Sequence, residues 1–166
     1  MLSVQREIDA VSGYLDLGMI DEALATLEAL ENAHNGVRRA QFLALRLKLS
    51  RKFQRWDSMR KAATRLKELA PHEPEVWISE ADAIRHAVNV KAAADHLREA
   101  EILFPDNAHI KFQLGCYHCQ LKRLEEGEQY VREAAAMQAH WQRIALQDHD
   151  VKALWPKLRG DDTWLS

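Results

Sequence analysis

Apolar side chains return at helical spacing through almost the whole chain. After Pro74, which suits a first helical position, Val76, Trp77, Ala81 and Ile84 form a stripe along one helix face. Asn89 can cap a second helix from Val90 to Phe104, and Asp106 can cap the next, which runs through Ile110, Phe112, Leu114-Gly115 and Tyr117. In Asp16-Leu17-Gly18-Met19, Gly18 fits a left-handed helix end. Loops of three to five residues make consecutive helices antiparallel neighbours.

The stripes also repeat. Pro71 and Pro105 are 34 residues apart, and Met59, Ala93 and Gly127 share that interval, as do Leu66, Ala100 and Ala134. Each of Met59, Ala93 and Gly127 follows an apolar residue (Trp56, Val90, Leu124) by three positions at the start of a helical pattern. Ala23 and Leu30 continue the series 36 residues upstream of Met59 and Leu66. Four two-helix units are predicted, at about residues 4–37, 40–73, 74–107 and 108–139, in a single domain spanning 1–166. One helix hairpin cannot bury its apolar face alone, whereas stacked hairpins can, which predicts an all-α solenoid.

The segment from His140 does not repeat, and it holds three of the five tryptophans, Trp141, Trp155 and Trp164. It is expected to form a cap over residues 140–166: a helix at Trp141–Leu146 and a short second one at Asp150–Trp155 with Pro156 near its end. Arg159-Gly160-Asp161 is read as a helix terminator and not as an adhesion tripeptide.

Composition narrows the class. Six Gly and four Pro are too few for an all-β chain, and two Cys make no disulfide scaffold and suggest a reducing compartment. No apolar run approaches the roughly 20 residues of a membrane span. Met1–Glu7 lacks the basic start and apolar core of a signal peptide, so a cytoplasmic location is expected, with no membrane partner.

Catalytic patterns are missing. There is no phosphate-cradling glycine loop and no nucleophile elbow, and His72-Glu73 lacks a second His because Val76 stands in its place. The chain is therefore expected not to be an enzyme and to need no cofactor or metal. Cys116 and Cys119 share a helix face. They are expected to pack or to line a groove; a thiol-redox or metal role through Cys116 and Cys119 is the alternative.

The net charge of −2 hides strong segregation. Residues 1–31 carry seven acids and one Arg, residues 38–69 carry eleven bases and two acids, and residues 73–104 return to a net −4. Two readings follow: opposite charges pair between adjacent repeats, or the basic repeat steers an acidic partner. Nucleic acid is not expected, because aromatics interleave the bases only at Phe53 and Trp56.

The residues resemble the tetratricopeptide-repeat (TPR) family. Trp77, Ala81, Ala93, Leu97, Ala100 and Pro105 occupy the family's places in the third unit, Leu114-Gly115, Gly127 and Ala134 in the fourth, and Tyr14, Ala23, Leu27 and Leu30 in the first. The second keeps Leu47, Ala63, Leu66 and Pro71. The resemblance covers residues 4 to about 139. It implies a right-handed superhelical solenoid of helix hairpins with a concave groove lined by the first helix of each unit. Carried over, the groove shows Ile8, Ser12 and Leu15, then Ala44, Lys48 and Arg51, then Ile78, Asp82 and Arg85, then Phe112, Cys116 and Cys119. The places used elsewhere in the family to clamp a terminal carboxylate hold Ile8, Ser12 and Leu45, so that activity is not expected. The resemblance implies a protein–protein interaction module or adaptor whose partner is a protein or peptide segment with acidic and apolar residues. The alternative is a structural module that self-associates as a homodimer without a peptide ligand.

Overall fold

The structure is a computed structural model that describes Val4–Asp161 and Trp164. Met1 to Ser3, the start of the segment read above as no signal peptide, lie outside the described residues. Among those residues there are only helices and the turns between them. Eight run in four hairpins: α1 Val4–Asp16 with α2 Ile20–Ala33, α3 Gly36–Lys52 with α4 Trp56–Leu69, α5 Pro74–Ala87 with α6 Val90–Leu103, and α7 Ala108–Gln120 with α8 Leu124–Met137. A short helix α9 (His140–Ala145), a 3-10 turn (His149–Leu154) and α10 (Trp155–Arg159) follow. None of the helices is long and apolar enough to cross a membrane among the described residues.

One turn closes three of the hairpins. Gly18, Gln54 and Lys122 all adopt positive φ, at 71°, 56° and 63°. In each turn the next amide reaches back five residues: Met19 N–H to Tyr14 O (2.9 Å), Arg55 N–H to Ser50 O (2.8 Å) and Arg123 N–H to His118 O (2.9 Å). These are paired left-handed helix ends that satisfy otherwise orphaned carbonyls. Glycine was legible at the first; the other two place side chains where L-residues are strained, and so were not.

Other details differ from the sequence reading. The third helix begins at Gly36, four residues before Ala40, because extended Asn35 and left-handed Gly36 return the chain to helix after a two-residue link. Asn89 caps α6, accepting from Ala92 N–H at 2.8 Å. Asn107, and not Asp106, caps α7: its side chain accepts from Ile110 N–H at 2.9 Å, while Asp106 lies in the turn before it. Pro156 stands in the first turn of α10 and starts that helix, where its missing N–H costs nothing.

The chain divides into two compact units, Met1–Ala83 and Ile84–Ser166. The first packs Val11, Ala23, Leu24, Leu27, Leu30 and Phe42 into one core, against which Ile8, Tyr14, Leu15 and Leu45 lie half-buried. Met59, Ala63 and Ala83 form a second cluster with Leu47 and Trp56. In the other unit, Ala108, Phe112, Cys116, Cys119, Val131, Ala134 and Ala135 from α7 and α8 join Trp141, Ala145, Val151, Leu154, Leu158 and Trp164 from the cap. The expected capping role of the non-repeating segment is thus seen directly: its aromatics and leucines cover the apolar face of the last hairpin.

Candidate functional site

Five of the eleven bases of residues 38–69 are already answered by carboxylates within the first unit. Arg46 is fully buried, with Nη1 3.1 Å from Glu31 Oε1 and 3.2 Å from Glu28 Oε1. Arg65 pairs with the same Glu31. Burial pushes the Glu31 carboxyl above its ordinary value, against the pull of Arg46 and Arg65. On the surface, Arg55 Nε donates to Asp21 Oδ1 at 2.8 Å. Lys67 Nζ lies 2.6 Å from Glu80 Oε2 and over the Trp77 ring at 4.4 Å. The intramolecular reading of the charge segregation therefore accounts for Arg46, Arg55, Arg65 and Lys67.

The residues on α3 that the family resemblance assigns to the groove are open. Gln41, Ala44, Lys48, Arg51 and Lys52 are exposed at spacings of three and four and make one outward stripe. Arg51 Nη2 sits 3.1 Å from Asp82 Oδ2, so the structure brings these two expected groove residues together. Lys48, like Arg38, Arg39, Lys52, Arg60 and Lys61, has no carboxylate partner among the described residues. Ile78 is 7% exposed and belongs to the core, so it offers a partner little surface.

In the second unit the expected set separates. Arg85 Nη1 lies 3.8 Å from Asp150 Oδ2 of the cap region. Phe112, Cys116 and Cys119 are buried in the core under the cap, with Phe112 stacked on Trp141 at 4.6 Å between centroids. A partner cannot reach these three while the cap is seated, which corrects their place in an open groove. Burial pushes the Cys119 thiol up to about 11 and the Cys116 thiol well above its ordinary value. Thiol exchange runs through the thiolate, so the thiol-redox alternative gains no support from this pair.

A polar cleft of about 360 Å³ was not read from the sequence. Arg98, Glu101, Lys111, His118, Glu126 and Tyr130 contribute to its walls. Lys111 Nζ bridges Glu101 Oε1 (2.6 Å) and Glu133 Oε2 (2.9 Å), and Tyr130 donates to Glu101 Oε2 at 3.0 Å. His118 is 1% exposed with Nδ1 2.7 Å from Glu126 Oε2, and burial holds its pKa below the usual value. The lining comes from three helices and is largely self-paired. No local motif announces such a site.

No protein-family model matches the chain, and no curated protein matches it either. Solved structures of similar fold do. The crystal structure of MamA superposes with a TM-score of 0.66 at 13% identity, covering 93% of this chain and 88% of that one. TTC0263, a thermophilic TPR protein of Thermus thermophilus, gives 0.61 at 16% identity, with 94% and 83% covered. YrrB, described as a TPR protein with an unusual peptide-binding site, gives 0.61 at 15% identity, with 80% and 68% covered. The chain has the all-α fold of the tetratricopeptide-repeat solenoids.

Proposed function

We propose that the chain is a non-enzymatic protein-interaction module that takes a peptide segment bearing acidic and apolar residues along the open face of α3. The observation that carries this reading is the contrast within the second repeat. Arg46, Arg55, Arg65 and Lys67 are neutralised by the chain's own carboxylates, while Lys48 and Lys52 stand exposed without one on the groove stripe. Ala44 leaves room for an apolar side chain between Gln41 and Lys48. Arg51, held by Asp82, offers its remaining N–H groups in a fixed orientation to a carboxylate. The fold supports the reading, since YrrB shares it and is described as having a peptide-binding site. Arg85 is left out, because it is engaged with Asp150 in the other unit.

The test begins with peptides selected on the full chain from a random display library and titrated by fluorescence anisotropy. Lys48→Glu with Lys52→Glu should weaken them by about tenfold or more and flatten the salt dependence. Arg60→Glu with Lys61→Glu on α4 should leave affinity unchanged. Selected peptides that hold the Lys48/Lys52 variant at full affinity would refute the assignment.

A further inference from the structure

We infer that Cys116, Asp148 and Asp150 form a binding site for a thiophilic divalent cation of the zinc type. The Cys116 sulfur and one carboxylate oxygen from each aspartate all lie within 4.8 Å of one another. They come from two elements that pack together: Cys116 from the middle of α7, and the two aspartates from the start of the 3-10 turn of the cap. Asp148 Oδ1 accepts from the backbone N–H of Asp150 at 2.8 Å, which fixes the Asp148 carboxylate against the turn, while Asp150 Oδ2 lies 3.8 Å from Arg85.

Two carboxylates on a turn are ordinary surface chemistry and call for no ion. The thiol between them is different. Cys116 is 1% exposed, unbridged, and has no hydrogen bond among the described residues; it belongs to the apolar cluster under the cap, yet its sulfur also comes within 4.8 Å of two acids. Burial and the neighbouring Asp148 and Asp150 keep this thiol protonated when no cation is bound. A bound divalent cation reverses that order, because coordination removes the thiol proton to solvent and sulfur then ligates as thiolate. The charge then closes: the ion together with the Arg85 guanidinium, 3.8 Å from Asp150, balances one thiolate and two carboxylates.

The donor set chooses the ion. A thiolate disfavours magnesium and calcium, which take oxygen ligands, and favours zinc or its tetrahedral surrogates. Three protein ligands leave a fourth position for water. The sequence could not show this site, since its three ligands lie 32 and 34 positions apart and only the fold of the cap joins them. Cys119, three residues along, is no part of it: its sulfur lies against α8, where a Cβ on Gly127 would come within 2.6 Å.

Cobalt(II) titration of the reduced full chain tests the site, because a thiolate ligand gives a near-ultraviolet charge-transfer band. The expected result is such a band saturating at one equivalent and displaced by zinc. Cys116→Ser should abolish it, and Asp148→Asn should weaken cobalt binding about tenfold or more. The Asn variant keeps the turn's capping acceptor, so it reports on ligation even if the serine variant folds poorly. Cys119→Ser should retain the band. The proposal is overturned if wild type shows no band, if the band survives Cys116→Ser, if Asp148→Asn leaves affinity unchanged, or if Cys119→Ser also removes it.

Discussion

Gly115 and Gly127 lie where α7 and α8 approach closely. A Cβ on Gly127 would stand 2.6 Å from Cys119 Sγ, 3.1 Å from Gly115 O and 3.2 Å from Cys119 N. A sulfur can turn aside, but the two backbone atoms cannot. Gly127→Ala should therefore cost about 1–3 kcal/mol, more than the roughly 1 kcal/mol that Ala gains over Gly as a helix former. The check is the urea midpoint, which should fall. These small residues were legible, because Gly127 sits in register with Met59 and Ala93, and all three are buried completely or nearly so. The cap of α7 was legible only to within one residue. Asp106 and Asn107 are adjacent and both can accept an amide, and only the backbone path decides that Asn107 does.

Among the elements, the hairpins were readable and the cap's seat was not. The 34-residue interval places α4, α6 and α8 and sets α5 against α7, while α2 starts 36 residues before α4 and α3 starts early. The same register put Phe112, Cys116 and Cys119 on an open first-helix face. It had no means of showing that a non-repeating segment folds back over that face, because such a segment has no earlier copy to compare. Trp141 anchors the contact, stacked on Phe112 and 9% exposed. Trp141→Ala should cost about 3–5 kcal/mol in urea unfolding. It should also speed the reaction of Cys116 and Cys119 with an aromatic disulfide reagent under native conditions, since both thiols lie in the cluster that Trp141 helps to close. Thiols that stay equally slow would mean that another element shields them.

For the molecule as a whole, stability should depend on pH through a group that no sequence pattern singled out. His118 has its folded-state pKa held below 6.5, first by burial, with Arg98 and Arg123 acting in the same direction and Glu126 opposing them. The unfolded chain then takes up the proton first as pH falls. Stability from this residue is complete above about 6.5 and is lost as pH drops from there toward the folded pKa. Denaturant titrations of wild type and His118→Gln across that range should show the steeper loss in wild type. Parallel slopes would mean that His118 titrates alike in both states. Charge segregation, by contrast, was visible from the start, and counting bases gave its size. What counting could not give was which bases are consumed internally, because Arg46 and Lys48 differ only in the face of α3 they occupy.

The Asp21–Arg55 and Glu31–Arg65 pairs each span 34 residues, while α2 and α4 lie 36 residues apart. Each pair therefore joins a place in the first repeat to the place two residues earlier in the second, acid first and base second. Sequential order along the stack is thus written in sign as well as in shape. Were the second repeat duplicated in tandem, the new Arg55 would meet Asp57, which stands at the place of Asp21, but the new Arg65 would meet Lys67, which stands at the place of Glu31. The backbones would still fit, but the buried acid of the set, Glu31, would have only a cation as its counterpart in the new seam. Successive repeats of this chain share a mould and are not interchangeable bricks.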